Sequence, residues 1–304
     1  MKTGKLLTLI LALSACTVLE DRSSCPCILN LDFAEVLSMG ELVGDMGECR
    51  LHVECLGQEG KLTSDGFPLR LCPDTLQRSV PRGRLAVMGR LAPSGARIEA
   101  GVARISPGNQ ADSLYACLIE VSATDEENTV GVKLYKQFST VYIKVEGSDA
   151  RPASGDGTGD GNDIATGVGT GIGNWSGTGN GTGSGDGTAG RFRLVARGDV
   201  SGLDLGTLAP ADGDFIHEIG RRPSDGSYVF RMPRQKGATL VADLYEAGGV
   251  SLLTTLPLGE YLQKAGYDFH KEDLEDIHIS LGVSSGHISV RIEGWAEEFI
   301  SSSI

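Results

Sequence analysis

Arg50-Leu51-His52-Val53-Glu54-Cys55-Leu56 is the stretch that decides the fold. Polar and apolar residues alternate up to Cys55, so an extended chain puts Leu51, Val53 and Cys55 on one face and Arg50, His52 and Glu54 on the other. A helix would scatter the same residues around its axis. Upstream, Ile28-Leu29-Asn30-Leu31-Asp32-Phe33 alternates in part. Downstream, Arg84 to Met88 and Thr140 to Glu146 repeat the pattern, and Leu114 to Val121 does so in part. Turn formers separate these runs: Asp65-Gly66, Pro73-Asp74, Pro93-Ser94-Gly95 and Pro107-Gly108-Asn109. Spaced strands of period two with no strong helix between them predict an antiparallel β-sandwich over residues 25–148.

The same signals return from Arg191. Phe192 to Arg197, Tyr228 to Met232 and Ala238 to Tyr245 read as strands, and Gly248-Gly249 turns into Val250 to Leu256. Pro257 to Gly266 reads as one short helix, with Pro257 near its start, Leu258, Tyr261 and Leu262 on a face, and Gly266 suited to the position after its end. Asp276 to Leu281 and His287 to Trp295 form a last hairpin around Ser284-Ser285-Gly286. A second sandwich over 191–304 follows, and the fold class is all-β.

Between them, residues 149–190 are dominated by Gly, Thr, Asp, Ser and Asn and take much of the 43-residue glycine total. Such a segment buries too little apolar surface to offset its conformational entropy, and it reads as a flexible linker or a long insertion. Gly159-Asp160-Gly161-Asn162-Asp163-Ile164 looks like one turn of a calcium-binding β-roll. That chemistry needs stacked copies to supply ligands, and no second good copy is present. Asn174-Trp175-Ser176 and Asn180-Gly181-Thr182 match the N-glycosylation sequon, which this composition produces readily.

The N-terminus sets the compartment. Lys2 and Lys5 precede an apolar run from Leu6 to Leu13, and small residues follow, which is the layout of a secretory signal over 1–15. The run is shorter than the ~20 residues a spanning helix needs. Leu13-Ser14-Ala15-Cys16 resembles the bacterial lipoprotein signal, which implies cleavage before Cys16, diacylation of its thiol and acylation of its new amino group with palmitate-type chains. Residues 16–24 are then a lipidated tether. Glu20-Asp21 resembles the signal that sends Bacteroidetes lipoproteins to the cell surface, and a solvated linker accounts for the same two acids.

The chain carries 27 basic and 40 acidic residues, a net charge of −13. Loss of Lys2 and Lys5 with the signal would take it to −15. Such a protein repels nucleic acid and anionic lipid, so its hold on a membrane falls to the lipid. Of seven cysteines, six remain beyond Cys16: Cys25, Cys27, Cys49, Cys55, Cys72 and Cys117. An even set in an exported chain predicts disulfides, with the connectivity open. Cys25/Cys27 and Cys49/Cys55 each share a strand face, so they should reach across to other strands. Zinc fails on spacing, because there is no CxxC pair and no nearby pair of histidines.

Nothing points to an enzyme or a cofactor. HExxH, GxSxG, P-loop and dinucleotide fingerprints are absent. Of the five histidines, His52, His217, His270, His278 and His287, three (His52, His278 and His287) fall on strand patterns beside apolar positions and read as surface or rim residues rather than ligands. The acidic cluster Glu272-Asp273-Glu275-Asp276 could imitate a carboxylate pair, and it reads as a solvated turn that caps the strand entry at Ile277. A glycosidase pair would need an aromatic-lined cleft, and the chain has only Trp175 and Trp295.

The ordered set Glu20-Asp21-Arg22-Ser23-Ser24-Cys25-Pro26-Cys27, Leu31-Asp32-Phe33, Leu256-Pro257-Leu258-Gly259-Glu260-Tyr261-Leu262, Gly266-Tyr267-Asp268, Asp273-Leu274-Glu275-Asp276-Ile277 and Gly294-Trp295 resembles the fimbrial anchor subunits of Bacteroidales, the fimbrillin-A-associated or minor-fimbrium anchor family. It touches both ends of the mature chain, and the glycine-rich segment is not part of the pattern. The resemblance implies two transthyretin-like sandwiches. It also implies an outer-membrane lipoprotein that holds the base of a fimbrium, limits its length and joins fimbrillin stalk subunits by β-strand exchange. The candidate donor is the tail after Trp295, with Phe299, Ile300 and Ile304 as plugs; a frayed terminus is the other reading of that tail. A surface glycan- or host-ligand-binding lipoprotein is the alternative function.

Overall fold

The computed structural model describes residues 25–42, 49–147, 192–246, 250–284, 287–294 and 300–303. Cys16, segment 149–190, Trp295, Phe299 and Ile304 lie outside the described residues. The N-terminal part runs β1 (Cys27–Asp32), α1 (Ala34–Leu42), β2 (Cys49–Gly57), β3 (Gly60–Pro68), a 3-10 turn at Leu69–Leu71, β4 (Thr75–Val80) and β5 (Gly83–Pro93). The short hairpin β6 (Arg97–Glu99) and β7 (Val102–Arg104) follows, then β8 (Tyr115–Ala123), β9 (Glu127–Gly131) and β10 (Tyr135–Lys136). The rest comprises β11 (Phe138–Gly147), β12 (Phe192–Asp204), β13 (Pro210–Arg221), β14 (Tyr228–Pro233), β15 (Val241–Glu246), β16 (Leu252–Leu256), α2 (Leu258–Lys264), β17 (Ile277–Ser284), β18 (His287–Glu293) and β19 (Ile300–Ser303).

The opening stretch behaves as its alternation demands. Leu51, Val53 and Cys55 of β2 are buried and pack with Leu29, Leu31, Phe33, Leu85, Val87 and Leu91. They lie between a three-stranded sheet, β4-β1-β9, and a five-stranded one, β10-β8-β5-β2-β3. β1 runs antiparallel to β4 and parallel to β9. Each fully buried leucine contributes roughly 1.5–3 kcal/mol relative to exposure. The helix α1 was not expected. Its local signal is Asp32, whose Oδ1 accepts from Ala34 N at 3.0 Å in an Asx turn at the helix start, with Glu35 as an acid in the first turn.

The second core is larger. One hydrogen-bonded path runs β16-β15-β12-β13-β14-β11-β17-β18-β19. β13 and β14 share only Gly220–Val229 and Arg221–Tyr228, and at this corner the path folds into two facing layers. Val141, Ile143, Ile277, Ile279 and Leu281 from one layer meet Leu194, Ala196, Ala242 and Leu244 from the other in a single cluster. Helix α2 forms where expected. Leu258, Tyr261 and Leu262 are buried, and Gly266 takes φ +88° after its end. Gly259 is required there, because a Cβ would stand 2.4 Å from the Ala238 carbonyl carbon.

One boundary differs from the sequence expectation. Strand β11, placed by its position within an N-terminal sandwich of 25–148, pairs instead with β14 antiparallel and with β17 parallel. Alternation tells which face of a strand is buried but not which neighbour it pairs with. The hairpin β6-β7 also joins the large sheet, through β7 and β12. A third small cluster, Met88, Ala92, Leu114, Leu203 and Leu205, packs the outer face of β5 against that region.

Candidate strand-addition edges and the junction between the cores

An extended partner can add only at a strand whose outer N–H and C=O groups lack a neighbour. The two ends of the large path are β16 and β19, and the five-stranded sheet ends at β10 and β3. β16 is apolar at its tip: Leu252 is 52% exposed and the adjoining Val250 88%. β3 carries Lys61 and Asp65, charged residues of the kind that discourage edge pairing, and begins at Gly60 with φ +121°.

The predicted tail sits at the other edge. Ile300, Ser301, Ser302 and Ser303 pair antiparallel with Val290, Ser289, Ile288 and His287 of β18. The described part of the tail is thus a strand of its own sheet. Phe299 and Ile304, the other two expected plugs, lie outside the described residues.

Between the cores the chain crosses from β10 to β11 through a single residue, Gln137, which is buried. Arg234 meets it there. Its Nε donates to Gln137 Oε1 at 2.9 Å, Nη1 to the Phe269 carbonyl at 3.2 Å and Nη2 to the Glu272 carbonyl at 3.0 Å. Gln137 Nε2 donates to the Tyr135 carbonyl at 3.0 Å. Beside this clamp, Arg231 Nε donates to the Ala111 carbonyl at 2.7 Å, and Arg231 N to Gln110 Oε1 at 2.8 Å.

The acidic cluster is exposed, as its sequence reading expects, and two of its carboxylates also bind the chain where it crosses between the sheets. Asp273 Oδ1 accepts from Lys136 N, and Asp276 Oδ1 from Thr140 N, both at 2.8 Å; the Lys136 ammonium also binds Asp276. The cluster therefore fixes the crossing from one sheet to the other. Burial alone would raise the Asp276 carboxyl, and the Lys136 and Thr140 hydrogen bonds outweigh it, holding the group below the usual carboxylate range.

Asp243, a buried acid, has the same balance. Asp243 accepts from Arg197 Nε at 2.6 Å, Arg197 Nη2 at 2.7 Å and Thr255 Oγ1 at 2.7 Å. Burial pushes its pKa up, but the bonds from Arg197 and Thr255 bring it below the ordinary value. A carboxyl with a lowered folded-state pKa stabilises the fold wherever it is ionised in both states and stops doing so as it protonates. Both acids thus hold their contribution at pH 7, and it falls away below about pH 4. Calorimetric melting at pH 7 and pH 3 should show a lower Tm in acid, with a smaller drop in Asp243→Asn. An equal drop in that variant would remove Asp243 from the explanation.

No disulfide joins the described cysteines. Cys27, Cys49, Cys55 and Cys117 are buried, Cys72 is half-buried and Cys25 is exposed. Cys27, Cys55 and Cys117 pack in the first core as small apolar side chains. Burial pushes the thiols of Cys117 and Cys72 up to about 11. The histidines lie apart: His217 Nδ1 is 3.0 Å from the Gly108 carbonyl oxygen, and His278 stacks on Tyr142 with centroids 4.6 Å apart. Among the described residues no three His, Cys, Asp or Glu side chains converge as a metal set would.

No protein-family model matches the sequence, and no curated protein sequence matches it. Solved structures do match. One is described as a candidate polysaccharide-binding protein from Bacteroides thetaiotaomicron, with TM-score 0.55 and 12% identity, over 91% of this chain and 98% of that one. Another is a candidate adhesin from Bacteroides ovatus, with TM-score 0.54 and 9% identity, over 93% and 97%. The fimbrial anchor protein Mfa2 from Porphyromonas gingivalis matches with TM-score 0.52 and 12% identity, over 89% of this chain and 98% of its own. Described as binding, adhesion and anchor proteins rather than enzymes, these three share with the chain one all-β fold across nearly their whole lengths.

Proposed function

We propose that the chain is a lipid-anchored fimbrial subunit. It attaches the base of a fimbrium to the outer membrane, limits the fimbrium's length and joins the stalk subunits by β-strand complementation. The observation that carries this reading is the fold shared with a fimbrial anchor protein over 98% of that protein's length. Leu13-Ser14-Ala15-Cys16 supports the lipid. Two or more acyl chains, at ~0.8 kcal/mol per buried CH₂, hold a protein on a bilayer stably. The exposed apolar tip of β16 supports acceptance of a partner strand. For the tail to donate, it must first leave β18, giving up the four residue pairs it holds there.

The test is electron microscopy of cells lacking the gene, complemented with the wild-type chain or with Cys16→Ala. Deletion should leave long fimbriae shed into the medium. The wild-type chain restores short, attached ones, and Cys16→Ala does not, because that variant leaves the membrane fraction on carbonate washing. Fimbriae of unchanged length and attachment in the deletion strain would end the anchor reading. The second reading, a surface glycan- or host-ligand-binding lipoprotein, is favoured by one observation, the description of a structural neighbour as polysaccharide-binding.

A further inference from the structure

The outward face of β2 and β5 carries Arg50, His52 and Arg90, and among the described residues no side chain hydrogen-bonds the Arg90 Nε. Because Leu51 and Val53 point into the core, Arg50 and His52 point out. The register sets His52 directly across from Arg90 of β5, and Arg50 across from Ala92. On the other side, Gly66 of β3 stands opposite His52. A Cβ on Gly66 would lie 3.0 Å from the imidazole Nδ1 and Cε1, so the glycine leaves room for the ring to lie along the sheet. Arg50, His52, Ala92, Ser94, Ala96 and Ile98 line a cleft of about 60 Å³ together with Pro93.

Arg90 does not line this cleft but stands across from His52 on β5. Its Nε is buried and has no hydrogen-bond partner. Glu54, the acid on the same face of β2, is engaged by Lys61 Nζ at 3.1 Å and Ser64 Oγ at 3.3 Å. Burial, then Arg90, then Arg50 depress the His52 pKa, with Glu54 opposing. Burial also lowers that of Arg90. A desolvated guanidinium with an unpaired N–H beside a second cation is costly unless something negative joins it. In a chain of net charge −13, this cleft reverses the local sign.

The geometry points to a binding site for one small oxyanion, a carboxylate or a sulfate, held by Arg50 with His52 protonated against it and with Arg90 adding positive charge from across the sheet. A planar guanidinium fork matches both groups. The volume suits such a head group: one water needs roughly 10–15 Å³ measured this way, so the cleft takes a few water-sized atoms and excludes a whole sugar ring. The site rests on these residues and not on the fimbrial reading, so normal fimbriae in the deletion strain would leave it standing.

Titration calorimetry on the purified full-length chain tests it, with sodium sulfate and sodium glucuronate as probes and sodium chloride as the ionic-strength control. Saturable binding is expected, weakened at least about tenfold in Arg50→Gln, which removes charge-assisted hydrogen bonds to the anion, and by less in Arg90→Gln, which removes charge alone. Arg50 is exposed, so its variant keeps the fold even where Arg90→Gln does not. Lys144→Gln, which removes the same charge from an exposed side chain on β11, should change affinity less than twofold. Tighter glucuronate than sulfate makes an acidic sugar the source of the anion, and the reverse makes it the free ion. In an NMR titration the bound anion should also raise the His52 pKa. Two results overturn the site: no saturable binding of either probe, or equal losses in Arg50→Gln and Lys144→Gln.

Discussion

Arg234→Met is expected to loosen the junction between the two cores and to cost about 2–4 kcal/mol of stability. The side chain is 7% exposed and donates three hydrogen bonds, to Gln137 Oε1 and to the carbonyls of Phe269 and Glu272. Hydrogen bonds from a charged donor contribute roughly 1.5–3 kcal/mol each, and removing the donor leaves buried acceptors unsatisfied. Against that, methionine relieves the desolvation that lowers the Arg234 pKa, so the net loss is below the gross sum. Urea unfolding of wild type, Arg234→Met, Gln137→Leu and the double variant would measure the coupling. A coupling energy near zero would show that Gln137 and Arg234 do not act together. Limited proteolysis should find new cleavage between Phe269 and Asp276, the segment that Arg234 and Lys136 hold in place.

Phe230→Ala should cost about 3–5 kcal/mol, the range for deleting a buried aromatic ring. Phe230 is fully buried on β14, the strand that meets β13 at the corner and β11 along six residue pairs. Its ring fills space where the two layers of the second core converge, beside Phe215, Met232 and Leu240 in the same cluster. Those neighbours are anchored on several different strands, so the cavity cannot collapse by moving one of them. The urea midpoint should fall with the slope unchanged. A loss under about 1 kcal/mol would mean that the site repacks freely, contrary to close packing at the corner.

Much of this protein can be read from local chemistry. The alternation through Leu51, Val53 and Cys55 specifies a strand and its buried face, because side chains on an extended chain change sides at every residue. Pro257 and Gly266 bracket α2 for reasons confined to their own backbone dihedrals. Charge composition and the spacing of cysteines and histidines likewise depend on no fold. The short helix α1 was also written locally, in Asp32 and Glu35, although it is easily passed over in an all-β pattern.

Pairing was decided elsewhere. Nothing in Thr140 to Glu146 says that its neighbours are β14 and β17 rather than strands of the first core, since the inward face of Val141 and Ile143 would suit either. Only the assembled sheets choose, through the corner at Gly220–Arg221 and the single-residue crossing at Gln137. Asp273 and Asp276 are exposed turn residues in the fold too, but only the fold brings Lys136 and Thr140, about 137 positions away in sequence, to their carboxylates. The cleft around His52 is likewise tertiary. Residues 50 and 52 are visible as outward positions on one strand, but Arg90 and Gly66 become their neighbours only through register, which depends on how whole strands dock and not on any local preference.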